Sequence, residues 1–195
     1  MSNKSNIYTK TGDKGETSLY NGERVAKDSV FCKVVGSLDE VSSAIGMVYI
    51  ELESKACNKE DNNNIVNILK WIQSRLLDLG SHVATPIDSA RSNKTKLSQT
   101  DFEEEHVSEL EKLIDEYDMK LPKLTNFILP YGSLHMARTI CRRAERKMIS
   151  LFREGHVNKF ALIFLNRLSD FLFVLARYLC HSVYDTPEHI YKKTR

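Results

Sequence analysis

The chain has 195 residues, enough for one compact domain with its own core. Its 28 Lys and Arg residues face 26 Asp and Glu, so a net charge of +2 supplies no bulk pull toward nucleic acid or membrane. Eight glycines and four prolines favour long helices over turn-rich β structure.

The first six residues are polar, with neither an apolar run nor an arginine-rich amphipathic start, which predicts a cytoplasmic protein without signal or transit peptide. Residues 7–35 lack periodicity and carry Gly12, Gly15 and Gly22 among Thr, Asp, Lys and Ser. They read as loop, with a short extended piece at Phe31–Val35. Ser37 and Glu40 have the spacing of a capping box. Leu38, Val41, Ile45, Val48 and Leu52 follow at helical spacing, predicting a first helix over 37–54. The polar stretch 54–64 reads as linker. Ile65, Ile68, Leu69, Ile72, Leu76 and Leu79 mark a second helix ending near 80–84. Thr85–Thr100 contains Pro86 and no apolar rhythm, which predicts a mobile loop. A third helix over 101–118 presents Phe102, Val107, Leu110, Leu113 and Ile114 inward. Pro122 and Pro130 bracket a connection. A fourth helix runs from about Ser133 to Arg153 and a fifth from about Asn158 to Tyr184, with Gly155 as the stop between them. Asn166, Arg167, Asp170 and Arg177 interrupt the apolar stretch 160–180 and argue against a membrane span. Cys32, Cys57, Cys141 and Cys180 form no C-x-x-C pair and read as free thiols in a reducing compartment. No repeat or domain boundary is visible. The pattern is all-α, one domain over 1–195, with an N-terminal loop over 1–35 and a helical bundle over 36–185.

The fourth helix carries the strongest chemical signal. Arg138, Arg142, Glu145 and Arg146 fall within an arc of about 80–100°, beside a separate apolar stripe of Leu134, Ala137, Cys141, Ala144, Met148 and Leu151. Like charges one turn apart repel, and an anion held between them relieves that repulsion. The plain alternative is a solvated, salt-bridged face. On the fifth helix, Asn166 and Asp170 stand one turn apart among apolar neighbours, either as a satisfied core network or as part of a site. The loop Thr9-Lys10-Thr11-Gly12-Asp13-Lys14-Gly15-Glu16-Thr17-Ser18 offers hydroxyls, backbone N–H groups and lysines suited to phosphate, or an ordinary turn. It matches neither a Walker A loop nor a dinucleotide fingerprint. His135 reads as a helix-start or packing histidine.

These segments occur in one order together with Gly36-Ser37-Leu38-Asp39-Glu40, Phe127-Ile128-Leu129-Pro130, Arg142-Arg143-Ala144-Glu145-Arg146 and Asn166-Arg167-Leu168-Ser169-Asp170-Phe171-Leu172-Phe173. From Ile7 to about Arg177 the chain resembles the PduO-type ATP:cob(I)alamin adenosyltransferases. The resemblance implies a ferritin-like five-helix bundle with an N-terminal ATP-binding loop. It implies a homotrimer with active sites between subunits, using ATP, cob(I)alamin and Mg²⁺. It also implies a corrinoid reductase and an adenosylcobalamin-dependent enzyme as partners, and no nucleic acid or membrane. By matching positions, the ATP contacts are Thr9, Lys10, Thr11, Gly12, Thr17, Ser18, Lys27, Arg142, Arg143, Glu145, Arg146 and Asn166. Asp39 and Arg138 meet across the subunit interface, and Phe127 lies on the corrinoid side. The metal ligands are left unassigned. One departure is a short Tyr131–Ala137 segment, which predicts a fourth helix more than one turn shorter at its N-terminus than the family pattern. The implied reaction moves the 5′-deoxyadenosyl group of ATP to cobalt(I). Lys27, Arg142 and Arg146 stabilise charge on the departing triphosphate, Glu145 orients the arginines or a metal-bound water, and Asn166 fixes the nucleotide. A non-catalytic corrinoid carrier on the same fold and a nucleic-acid module using the basic helix are the rival readings. The near-neutral balance and Glu145 within the cluster oppose the second.

Overall fold

A computed structural model describes residue 8 and residues 10–54, 59–184 and 186–193, so Thr9 and Cys57 lie outside the described residues. A two-stranded antiparallel hairpin, β1 (Glu16–Ser18) and β2 (Arg24–Ala26), pairs Thr17 with Val25. Five long helices follow: α1 (Val30–Ser54), α2 (Lys59–Val83), α4 (Glu104–Asp118), α5 (Ser133–Arg153) and α6 (Lys159–Tyr178). A short helix, α3 (Lys94–Thr100), lies between α2 and α4, and α6 ends in a π-helical turn at Leu179–Val183. α1 packs on α2 and α5, α5 on α6, and α6 on α4. The expected helical bundle is present, with the hairpin added to it.

The apolar stripes build the core. On α5 the buried set contains Leu134, Ala137, Cys141, Ala144, Met148 and Leu151, the predicted face. Phe102 meets the ring of Phe164 edge-on with centroids 5.1 Å apart, and Trp71 approaches Phe164 at 6.4 Å. Tyr117 packs edge-on against Tyr178 at 4.9 Å, and burial pushes its phenol up to about 12. Asn158 caps α6 by accepting from Ala161 N (3.0 Å). Gly155, at φ 79°, lets His156 N reach back to Leu151 O (2.9 Å) and close α5. Among the described residues no helix is long and apolar enough to cross a membrane, and Cys32, Cys141 and Cys180 are free thiols.

Four local expectations are corrected. The capping box at Ser37 and Glu40 is no helix start, because α1 begins at Val30 and includes the piece read as extended. Ser37 is buried mid-helix and donates to Lys33 O (2.9 Å), the back-bond of an interior helical serine rather than a cap. The stretch read as a linker before Ile65 is helical from Lys59. Thr85–Thr100 is no featureless loop: Asn93 caps α3 by accepting from Lys96 N (2.9 Å), and the segment bonds to the β1–β2 turn. Polar residues anchor it, so apolar rhythm gave no sign of order.

His82 ties these pieces together. Its Nδ1 lies 2.9 Å from Thr100 O, and its Nε2 accepts from Asn158 N (3.1 Å). That pattern needs the neutral ring, and burial holds the imidazole below its ordinary value of 6.5. A lowered histidine value means stability is fully present above that ordinary value and is lost as pH falls from there toward the value of His82 itself. Thermal melts from about pH 7.5 down to about pH 5 are expected to show a steeper fall for the native protein than for His82→Gln. Equal slopes would remove His82 as the cause.

Candidate functional site

The hairpin and the loop before it carry the first group of candidate residues. Lys10 adopts φ 58°, a left-handed conformation uncommon for a residue with a side chain. Gly15 follows at φ 83° and accepts Lys27 N at 2.8 Å through its carbonyl. A Cβ on Gly12 would stand 3.0 Å from Lys27 Nζ, so the glycine lets the lysine lie across the loop. Thr11, Ser18 and Lys27 are exposed, Thr17 half-buried. Arg24, which the sequence reading passed over, donates to Thr11 O (3.1 Å), Ser18 Oγ (3.4 Å) and Glu16 Oε2 (3.3 Å). It holds the loop closed across the hairpin. Its only sequence signal is its place on β2, and no strand was predicted there.

The second group of candidate residues lies on α5 and α6. Glu145 Oε1 accepts from Asn166 Nδ2 (2.9 Å), and Asn166 Oδ1 accepts from Arg167 NH1 (2.6 Å). Arg167 Nε then donates to Glu111 Oε1 (2.7 Å) on α4. Glu145 and Asn166, singled out separately, are thus hydrogen-bonded neighbours. Arg143 turns the other way and pairs with Glu40 on α1, beside Lys147, which donates to Ser37 Oγ (2.8 Å). Arg143 therefore braces α5 against α1 and does not join the outward arginines. Arg142 and Arg146 are exposed, and among the described residues neither has a hydrogen-bond or ion-pair partner. Two guanidinium groups stand one turn apart on the exposed face of α5, on either side of Glu145, an arrangement with the chemistry to meet an anion.

Toward the N-terminus of α5, Arg138 lies over the Phe173 ring (6.0 Å), and its buried Nε has no partner. His135 is buried edge-on to Phe173 at 5.9 Å, in agreement with a packing role, and burial and the Arg138 charge hold its imidazole below the ordinary range. Asp39 is exposed on α1, and Asp170 is exposed on α6 rather than part of a core network. Phe127 is 81% exposed, yet its backbone is fixed. Tyr191 N donates to Phe127 O (2.8 Å), Leu129 N to His189 O (2.7 Å), and Ile128 bridges Ile190. Arg177, 3% exposed, holds this tail through Glu188 Oε1 (2.6 Å) and donates to Pro122 O (2.9 Å). The tail lies beyond the recognised motifs, and sequence reading missed it. A concavity of ≈ 370 Å³ lined by Tyr20, Arg75, Asp78, Asp101, Glu103 and His106 includes none of these site residues.

The family model for cobalamin adenosyltransferase matches residues 7–179, which include the loop, the arginine face and Asn166. The chain belongs to the cobalamin adenosyltransferase family. It is 46% identical over 192 residues to corrinoid adenosyltransferase MMAB of Bos taurus, covering 96% of this chain and 76% of that one. It is 41% identical over 176 residues to the corrinoid adenosyltransferase of Bacillus subtilis, covering 88% and 84% respectively. Among solved structures it resembles a variant of the PduO-type ATP:corrinoid adenosyltransferase from Lactobacillus reuteri complexed with cobalamin and ATP. That similarity has a TM-score of 0.81 and 35% identity, covering 96% of this chain and 99% of the other. Within this adenosyltransferase fold, the bonds of the hairpin to the bundle run to Ala84, Ser89, Arg91 and Ser92 in the α2–α3 connection and to Lys96 in α3. The arginine face belongs to α5, whose packing neighbours are α1 and α6.

Proposed function

We propose that the chain transfers the 5′-deoxyadenosyl group of ATP to cob(I)alamin, forming adenosylcobalamin and releasing triphosphate. The observation that carries this reading is the pair of outward, unpartnered guanidinium groups of Arg142 and Arg146, set beside the Glu145–Asn166 hydrogen bond. The cobalt(I) electron pair forms the bond to ribose C5′, and the C5′–O bond breaks with its electrons leaving on triphosphate. The protein supplies no nucleophile. Its work is to hold C5′ over the cobalt and to stabilise the departing polyanion. Arg142, Arg146 and Lys27 suit that role, with the Thr9–Gly12 loop, Thr17 and Ser18 on the phosphates and Asn166 orienting the nucleotide through its bond to Glu145. Phe127 is assigned to the corrinoid.

Among the described residues no three His, Cys, Asp or Glu side chains stand together as a metal site. Mg²⁺ is assigned to the triphosphate oxygens, where it needs few or no protein ligands, and no step is derived through it. The hairpin rests on the α2–α3 connection and the arginines on α5, which supports a site completed between two copies of the chain in a homotrimer. Arg138, with its buried orphan Nε, and exposed Asp39 are assigned to that interface. Reduced corrinoid and ATP are expected to give the absorbance spectrum of a Co–C bond, from a protein that light scattering shows as a trimer. Binding of corrinoid without turnover would favour the carrier reading, and a stable monomer would remove the shared site.

A further inference from the structure

We infer that Asn21 is a positioning residue for the nucleotide loop, fixing the β1–β2 hairpin to the α2–α3 connection from behind. The inference rests on the reading that this loop grips ATP, and it concerns how the grip is held in place.

A two-stranded hairpin is marginal on its own and takes its position from whatever it packs against. Between residues 10 and 29 the buried side chains are Leu19 and Asn21, so apolar packing supplies little of that support. Asn21 is 3% exposed, and every polar group it carries is used. Its Oδ1 accepts from Glu23 N (2.9 Å), closing the turn between the strands. Its Nδ2 donates to Ser89 Oγ (3.2 Å) and Ser92 Oγ (3.1 Å). Its backbone N donates to Ala84 O (3.3 Å), and its carbonyl accepts from Lys96 Nζ (2.9 Å).

Neighbouring bonds reinforce the same junction. Ser89 Oγ donates to Glu23 Oε2 (2.6 Å), and Arg91 NH1 donates to Gly22 O (2.8 Å). The groups assigned to the phosphates lie along the hairpin and the loop folded over it. Ser18 pairs with Arg24 beside the turn, Arg24 donates to Thr11 O of the loop, and Lys27 N donates to Gly15 O at the open end. The hairpin and the loop folded over it therefore take their position from a polar, satisfied anchor at the turn, centred on the buried Asn21. A satisfied buried network defines one geometry, and removing its central member leaves several partners without bonds at once. Loosening the anchor spreads the loop over many positions, which weakens ground-state capture of ATP while the arginine face and corrinoid side stay intact.

The test is steady-state kinetics on the full chain, varying ATP at saturating cob(I)alamin and then the reverse. Asn21→Ala is expected to raise KM for ATP about tenfold, leaving kcat and the corrinoid KM within about twofold. The Ser89→Ala/Ser92→Ala pair, on the other side of the junction, should shift KM for ATP in the same direction. Adding Asn21→Ala to that pair should produce less than the product of the two effects, as expected for one shared network. Should Asn21→Ala fail to fold, the serine pair and Lys96→Met carry the same comparison. An unchanged KM for ATP would overturn the inference, as would a parallel loss of kcat, corrinoid affinity and melting temperature, which marks general destabilisation. Calorimetry with ATP separates the two claims. Absence of adenosyl transfer by the native protein would remove the enzymatic reading, whereas equal ATP affinity in native protein and Asn21→Ala would remove only the anchor.

Discussion

Arg142→Ala is expected to lower kcat/KM for ATP by about one to two powers of ten, with corrinoid affinity unchanged. Arg142 is exposed on α5 and, among the described residues, has no protein partner, so its removal breaks no internal bond. Its neighbours are already committed: Arg143 to Glu40, and Glu145 to Asn166. On the proposed reading, the loss therefore falls on the anion that the guanidinium would meet. A charge-assisted hydrogen bond contributes roughly 1.5–3 kcal/mol, and more where it strengthens as negative charge gathers on the leaving triphosphate. Steady-state kinetics with ATP, together with the melting temperature, would check this. Unchanged ATP kinetics would refute the assignment of the α5 face and strengthen the carrier reading.

Two phenylalanines are expected to respond in opposite ways to truncation. Phe164 is fully buried between Phe102 and Trp71, so Phe164→Ala should destabilise the fold by about 3–5 kcal/mol through lost burial and the cavity left behind. Phe127 is 81% exposed, and the tail holds it through backbone bonds that an alanine would keep. Phe127→Ala should therefore leave the melting temperature nearly unchanged. Its effect should appear with cobalamin, as a smaller fraction of base-off, four-coordinate cob(II)alamin and a kcat lower by about tenfold or more, while ATP affinity holds. Absorbance spectra of the bound corrinoid and thermal melts on both variants would decide it. A large drop in melting temperature for Phe127→Ala would show that the ring is structural, and unaltered corrinoid spectra would remove it from the cobalamin side. The contrast in melting temperature follows from exposure, since one ring is surrounded by its own chain and the other is not; the effect with cobalamin follows from the corrinoid role proposed for Phe127.

The legible part of this protein was whatever repeats along the chain or sits at a local stop. Leu134, Ala137, Cys141, Ala144, Met148 and Leu151 mark the buried face of α5 because a packed helix must place apolar side chains every three or four residues. Asn158 and Gly155 mark the boundary between α5 and α6 because capping and left-handed backbone depend on the residue at that place. The outward position of Arg142 and Arg146 follows from the same periodicity, since a stripe that packs defines the face that does not. The loop and its glycines were visible as composition, although the hairpin was not. Strands of three residues are too short to show alternation.

The tertiary structure alone decided which polar groups meet. Arg143 shares the motif of Arg142 and Arg146 but faces Glu40, 103 residues away in sequence. Asn166 meets Glu145 and Arg167 meets Glu111 across separations of 21 and 56 residues. Asn21 finds Ser89 and Ser92 across 68 and 71. The Ser37–Glu40 spacing imitated a cap because local sequence cannot show that α1 has already begun at Val30. Periodicity reports how deeply a face is buried, since burial acts on each side chain through its own helix. A hydrogen bond or ion pair depends on two side chains converging, and their convergence is set by how α1, α4, α5 and α6 pack rather than by any spacing along the chain.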